Sequence, residues 1–284
     1  MPIPAGSKDV TASPLGRRVE APDAPDARVL FPVARAQARA ETGLDAQALP
    51  FIGTDIWNAY ELSWLDARGK PRVAIAELRV PADSPNLIES KSLKLYLNGY
   101  AQTRIESAVG LRNAIARDLG AAAGAPVEIT LIGPDDFLLQ TISELPGASL
   151  DEQEIDIVDY GPPQPDHLRA DARARQIEES LTTKLFRSNC PVTGQPDWAA
   201  VQIRYFGAPI DRAGLLRYLV SWREHRGFHE ACVERIFADL LARCAPRALS
   251  VYARFTRRGG LDINPWRATP GYAMPPLNVR IARQ

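Results

Sequence analysis

Residues 93–100 read LKLYLNGY and residues 215–222 read LLRYLVSW. The two stretches share leucines and a tyrosine in register. Further on, ARDL (116–119) lies near FADL (237–240), and AP (125–126) lies over AP (245–246). The offset stays near ~120 residues, which is the mark of a tandem duplication. Whatever fold one copy adopts, the other repeats it.

Working outward from these stretches gives the elements of each copy. In the first half, WNAYELSWL and PRVAIAELRV flank the turn DARGK and read as an antiparallel hairpin. Helices are expected over 90–98 and over 104–119, followed by a strand at VEITLIG. In the second half LFRSNC and WAAVQIRYFG form a hairpin around PVTGQP. DRAGLLRYLVSWREHR is helical, with Asp211 able to cap its start, and HEACVERIFADLLARC is a second helix. ALSVYARF is expected as the final strand. Each copy reads strand, strand, helix, helix, strand, an α+β arrangement with antiparallel sheets and helices on one face. The expected organisation is an extended lead over 1–50, with at most a short helix around 33–42, a first module over 51–140, a connector over 141–180 and a second module over 181–284.

Charge and composition narrow the function classes. Lys plus Arg and Asp plus Glu each number 34, so the formal net charge is zero and no global basic footprint suggests a nucleic-acid or membrane-surface binder. Hydrophobic residues make up 45% of the chain, enough for packed cores. No apolar run approaches the roughly 20 residues of a membrane-spanning helix. The opening MPIPAGSKDVTASPLGRR lacks the apolar centre of a secretory signal, and three cysteines make an odd, sparse set. A reducing cytoplasm is the expected location.

Residues 186–198, FRSNCPVTGQPDW, hold the first chemical candidates. Gly194, Pro191 and Pro196 make a compact turn. The hairpin places Cys190 and Asp197 on adjacent strand ends, where a carboxylate can accept or return a thiol proton. Taken alone, a buried structural cysteine is the better reading of that pattern. The helix over 229–244 adds a second candidate pair. Val233, Ile236, Phe237, Leu240, Leu241 and Cys244 form its apolar stripe, and His229 and Glu230 fall on the same side. A His–Glu pair turned inward needs an internal network or a ligand to satisfy it. Cys244 reads as core packing, Cys232 as a surface or helix-contact residue, and His167 as a solvated loop residue. His225, His229 and Cys232 have loosely metal-like spacing, but Gly227 intervenes and no fourth ligand is evident.

Two basic segments suit anions. LIESKSLKLYLN (87–98) carries Glu89, Ser90, Lys91, Ser92 and Lys94 at a helix start, either a capped amphipathic helix or an anion cradle. RFTRRGGLDINPWR carries Arg254, Arg257, Arg258 and Arg267 around a Gly-Gly turn, and clustered guanidiniums suit phosphates. No G-x-G-x-x-G joins a strand to a helix, so a dinucleotide would bind outside a Rossmann fold.

Together ESKSLKLYLN, FRSNCPVTGQPDW, FHE and FTRRGGLDINPWR closely resemble the 7-cyano-7-deazaguanine reductases (the QueF family) in the long form that carries two modules in one chain. The resemblance covers nearly the whole chain from about Gly53. It implies tandem tunnelling-fold (T-fold) modules in a homodimer, and NADPH-dependent reduction of a deazapurine nitrile in tRNA queuosine biosynthesis, with two NADPH per substrate. It further implies Cys190 as nucleophile, Asp197 as proton donor and His229 as a proton source in the later stage. Glu89, Ser90, Lys91, His229 and Glu230 would bind the deazapurine, and Lys91, Ser92, Arg258 and Gly259 would contact NADPH. No metal, membrane or direct nucleic-acid partner is implied. Two rival readings use the same residues: a zinc-dependent cyclohydrolase-like enzyme, and a purine-binding module in which Cys190 is inert.

Overall fold

A computed structural model of the chain describes residues 22–284; the first 21 residues of the expected lead lie outside the described residues. The chain forms two compact units. The first takes residues up to Gln37, Asp55–Thr141 and Arg257–Ile263, and the second takes Ala38–Thr54, Ile142–Thr256 and Asn264–Gln284.

In chain order the first elements are β1 (Pro32–Ala34), α1 (Arg35–Glu41), β2 (Ile52–Leu65), β3 (Pro71–Pro81), β4 (Asn86–Ile88), α2 (Ser90–Asn98), α3 (Ala108–Ala123) and β5 (Glu128–Ile132). β2 and β3 neighbour each other around a turn in which Gly69 takes a φ of 86°. β5 runs antiparallel to β3, pairing Ile75 with Ile132 and Arg79 with Glu128. The alternation of apolar residues along β2 and β3 turns one sheet face to the helices. Trp57, Leu62, Leu78 and Val80 from the strands meet Leu93, Tyr96, Leu111, Ile115 and Leu119 from α2 and α3 in one buried core.

α3 is four residues out of step with the span 104–119 expected from periodicity. Its start is fixed by Ser107, whose side chain accepts from Gly110 N at 3.0 Å, and its end by Gly124 in the left-handed region at φ 73°. The lead contains the short helix expected near 33–42. It is also tied down, because β1 pairs with β4 and Phe31 N donates to the Ser92 hydroxyl at 3.0 Å.

The second unit builds on β6 (Ala148–Ser149), β7 (Ile177–Asn189), β8 (Pro196–Gly207), α4 (Arg212–Val220), α5 (His229–Cys244) and β9 (Ala248–Phe255). β7 and β8 form the expected antiparallel hairpin, running from Ile177↔Gly207 to Asn189↔Pro196 with one register shift between Thr183 and Phe186. β8 then pairs antiparallel with β9, and β6 joins β7 in parallel. α4 stops at Val220, short of the expected helix, and Ser221 turns its hydroxyl back to Tyr218 O at 2.7 Å.

One strand was not expected. β10 (Leu261–Ala268) follows the Gly-Gly turn and pairs with β9 through Trp266↔Tyr252 and Arg267↔Val251. Pro265 inside it and burial of every residue hide the usual alternation. The α+β class with antiparallel sheets is what the element pattern implied. Two members of the arginine cluster must be reassigned as structural. Arg254 is buried against Gln284, Tyr252 and Asn278. Arg267 is fully buried, and with Arg39 it clamps Glu234 of α5 at 2.8 and 2.9 Å. Removing one member of such a buried triad strands a charge and costs about 3–5 kcal/mol.

The duplication is visible in side chains as well as in strands. In the first unit Tyr96 OH donates to Asp118 at 2.7 Å, and in the second Tyr218 OH donates to Asp239 at 2.7 Å. These are the tyrosines of the two aligned octapeptides and the aspartates of ARDL and FADL.

Candidate active site

The hairpin turn decides where Cys190 sits. β7 and β8 pair as far as Asn189 and Pro196. Cys190 N then donates to Gln195 O at 2.8 Å, and Gly194 N donates back to Cys190 O at 3.0 Å. This closure needs Gly194 at φ 69°, where a side chain would be strained. Thr193 N lies 3.5 Å from Cys190 Sγ and points a donor at the sulfur. The loop entering α5 locks the turn from the other side. Asn189 N donates to His225 O at 2.8 Å, Gly227 N to Asn189 O at 3.1 Å, and the Asn189 amide to Arg223 O at 2.9 Å.

Ser188 stands directly across the ladder from Asp197, so their side chains share one face. That face is buried: Ser188, Cys190 and Asp197 are 0%, 3% and 4% exposed. His229 opens α5, and its Nε2 lies 3.3 Å from Asp197 Oδ1. Its ring lies flat on Phe255 of β9, with centroids 3.9 Å apart and planes 12° from parallel. The other ring nitrogen, Nδ1, is buried and has no hydrogen-bond partner among the described residues. Glu230, the next residue, is buried as its place on the apolar side requires.

Cys232 differs from the surface placement considered for it. It is wholly buried beside this group, and burial pushes its thiol up to about 12. The Ser188 hydroxyl works against that shift, whereas the charges of Asp197 and Glu230 add to it. Cys244 is packed in the core as expected, and burial raises it to about 11. His225 packs edge-on against Trp222 at 4.7 Å, and desolvation lowers it to about 4. A Cβ on Gly227 would stand 3.0 Å from His225 Nε2 and 3.3 Å from Cys232 Sγ, so these two side chains crowd the position. Among the described residues no group of three or more metal-suited side chains converges. His167 is half-buried, with Nε2 3.4 Å from Asp159.

The remaining candidates lie in the first unit. Glu89 is the N-cap of α2, its two oxygens accepting from Lys91 N at 2.7 Å and Ser92 N at 2.8 Å. It is fully buried, and desolvation raises its carboxyl pKa against those two bonds. Ser92 is buried too; its hydroxyl donates to Glu89 O at 2.7 Å and accepts from Phe31 N. Ser90 and Lys91 are half-buried at the helix start. One turn on, Lys94 Nζ lies 2.6 Å from where a Cβ would stand on Gly259, and 3.9 Å from Glu61. Gly259 and Gly260 take φ values of 58° and 79°, so both the space and the backbone require glycine. Arg257, over the Tyr60 ring at 5.5 Å, and Arg258 are exposed at the same turn. Lys91, Lys94, Arg257, Arg258 and a positive-φ glycine turn are a donor set suited to phosphate.

Asp197 and His229 are thus brought together in the second unit, with Cys190 at the end of the same buried ladder and Glu230 next to His229 on α5, and Glu89, Ser90, Lys91, Ser92, Arg258 and Gly259 belong to the first. Sequence reasoning missed Ser188, Phe255 and the burial of Cys232. Ser188 was within reach of a register count, since a turn over 190–195 sets 189 against 196 and 188 against 197. The Phe255 ring stack carries no such signal.

Two family models match the chain. One, described as nitrile reductase, 7-cyano-7-deazaguanine-reductase N-term, matches residues 22–131, and one described as QueF-like protein matches residues 196–272. An NADPH-dependent 7-cyano-7-deazaguanine reductase of Bordetella avium is 58% identical over 272 residues, covering 96% of this chain and 98% of its own. That of Stenotrophomonas maltophilia is 58% identical over 273 residues with the same coverage. That of Burkholderia mallei is 56% identical over 272 residues, again covering 96% and 98%. A solved structure of an archaeosine synthase QueF-Like in the apo form aligns with 35% of this chain and 98% of its own at 16% identity, with a TM-score of 0.31 that is too low to bear on the fold. At this identity and coverage the chain belongs to the family of NADPH-dependent 7-cyano-7-deazaguanine reductases.

Proposed function

We propose that the chain reduces the nitrile of 7-cyano-7-deazaguanine to the aminomethyl group, with Cys190 as nucleophile and Asp197 as proton donor. Family membership supports the reaction. The observation that carries the residue assignment is the 3.3 Å approach of His229 to Asp197 beside the turn that presents Cys190. A nitrile carbon is a weak electrophile, and direct hydride addition would leave charge on nitrogen. Attack by Cys190 Sγ on that carbon, with the Asp197 proton passing to nitrogen, forms a thioimide and divides one hard step into easier ones. The Thr193 N–H, aimed at Sγ, helps hold the sulfur in place for attack. His229, held flat on Phe255, supplies a proton at the later imine stage.

In the second unit Glu230 is a buried acceptor for the ring N–H and amine groups; in the first, Glu89 is a buried acceptor of the same kind, with Ser90 and Lys91 beside it at the start of α2. Buried acceptors reject ligands that cannot donate to them. NADPH supplies hydride; Lys91, Arg258 and the Gly259 turn would hold its phosphates. Ser92, whose hydroxyl is engaged within the helix start, contributes through its position there. Taking a nitrile to a primary amine consumes four electrons, hence two hydrides and two NADPH per substrate. The reading includes a homodimer in the cytoplasm. Leu138 and Leu139, 94% and 71% exposed, supply apolar surface for a second copy to cover.

The test is NADPH oxidation followed by absorbance with and without the cyano-deazaguanine. Two cofactors consumed per substrate are expected; no substrate-dependent consumption would overturn the reading.

A further inference from the structure

We infer that Ser188 is a positioning residue for the proton of Asp197: its hydroxyl is held in reserve and turns to the carboxylate as Asp197 loses its proton to the substrate. The inference rests on the proposed role of Asp197. Ser188 is 0% exposed, and its Oγ makes no hydrogen bond of good geometry among the described residues; the group it does act on is the buried Cys232 thiol, a weak acceptor. A buried hydroxyl without a strong partner costs free energy, so its retention calls for a reason. Ser188 and Asp197 are directly opposed on the ladder, where Cβ atoms lie about 4.5–5.5 Å apart. A change of rotamer, with no movement of backbone, therefore brings the hydroxyl to the carboxylate.

The groups facing this carboxylate define what the hydroxyl adds. His229 Nε2 approaches from α5 at 3.3 Å. Cys232, also on α5, feels the charges of Asp197, Glu230 and Arg235, and stays a neutral thiol because burial raises it to about 12. Cys190 lies at the end of the same ladder. When Cys190 Sγ bonds to the nitrile carbon, one C–N π bond breaks and nitrogen takes the Asp197 proton. A neutral acid thereby becomes a buried anion beside Glu230. Ser188 is the neutral donor that can meet this new charge without carrying any charge of its own. A hydrogen bond strengthened only as the anion forms lowers the barrier without tightening substrate binding.

The test measures thioimide formation by stopped-flow absorbance and intact-protein mass with NADPH omitted, together with the substrate Kd, on the full chain. Ser188→Ala is expected to slow the step ~10-fold, the worth of one charge-assisted hydrogen bond. Its substrate Kd should be unchanged. A slowed covalent step at unchanged affinity is the split that a merely structural loss would not give. Ser188→Thr, which keeps the hydroxyl, should restore the rate to within about threefold. A Ser188→Ala rate within twofold of the parent, or a slower rate accompanied by an equally weakened substrate Kd, overturns the inference. Asp197→Asn separates the two readings. If it slows the step while Ser188→Ala does not, only Ser188 is misassigned; if it has no effect, the Asp197 role and this inference fall together.

Discussion

His229 Nε2 lies 3.3 Å from Asp197 Oδ1 while its ring rests flat on Phe255. The stack restricts the imidazole to one plane, and the contact selects which nitrogen faces the acid. Nδ1, buried and without a partner among the described residues, is left available to a ligand. The first turn of α5 therefore delivers two functional side chains, His229 and Glu230, from one rigid element. The clamp of Arg39 and Arg267 on Glu234, one turn further along, fixes that helix from behind.

Without NADPH the reaction should stop at the covalent adduct, because attack needs only thiolate and proton donor. Intact mass should show one substrate per chain, mapped to Cys190. Cys232 and Cys244 should stay unmodified, since burial holds their thiols near 12 and 11 and leaves almost no thiolate at neutral pH. Cys190→Ala should lose the adduct yet bind the ring. An adduct on either other cysteine would sink the assignment.

Asp197→Asn keeps the shape of the side chain and removes its titratable proton. Adduct formation should slow by about 10²–10⁴-fold, the usual range for general acid catalysis. Stopped-flow rates at saturating substrate decide it, and a normal rate would remove Asp197 from the chemistry.

Much of this site was legible because local sequence does most of the assembly. The turn closed by Gly194 and the helix beginning at His229 are both set by short-range pattern, and the loop 223–227 needs only Asn189 to join them. The aligned tyrosines and aspartates carried the duplication into matching hydrogen bonds. What escaped was decided by tertiary packing. Counting one buried stripe on α5 put Cys232 off the core, but the helix is buried over a wider arc that also takes in Cys232 and Glu234. Arg254 and Arg267 read as phosphate ligands because composition cannot distinguish an exposed guanidinium from one sealed against Gln284 or Glu234.

Glu230→Gln exchanges an acceptor oxygen for a donor amide within a buried position. Ring N–H groups would then face a mismatched partner, at a cost of about 1–3 kcal/mol in binding. Isothermal titration with the Cys190→Ala background isolates this from the covalent step. Affinity equal to the parent would make the carboxylate structural.

Arg258→Ala should raise the KM for NADPH by the loss of one phosphate contact, roughly 1.5–3 kcal/mol. Thioimide formation should be nearly unchanged, since the covalent step precedes hydride transfer. Steady-state kinetics against the single-turnover adduct rate gives the split. An unchanged KM removes Arg258 from the cofactor site.

His225 supplies a pH dependence of stability separate from catalysis. Its ring packs on Trp222, and desolvation, with the Arg235 charge as the smaller cause, lowers it from 6.5 to about 4. Between those values the unfolded chain binds the proton and the folded chain does not. The unfolded state then holds more protons, so stability rises with pH through that window and is lost as pH falls through it. Thermal melts should show Tm dropping from about pH 6.5 toward pH 4. His225→Gln, which cannot charge, should flatten that part of the slope while lowering Tm at neutral pH through lost packing on Trp222. The acid slope is the deciding measurement. If His225→Gln retains the parent slope between those pH values, the buried neutral imidazole is not its source.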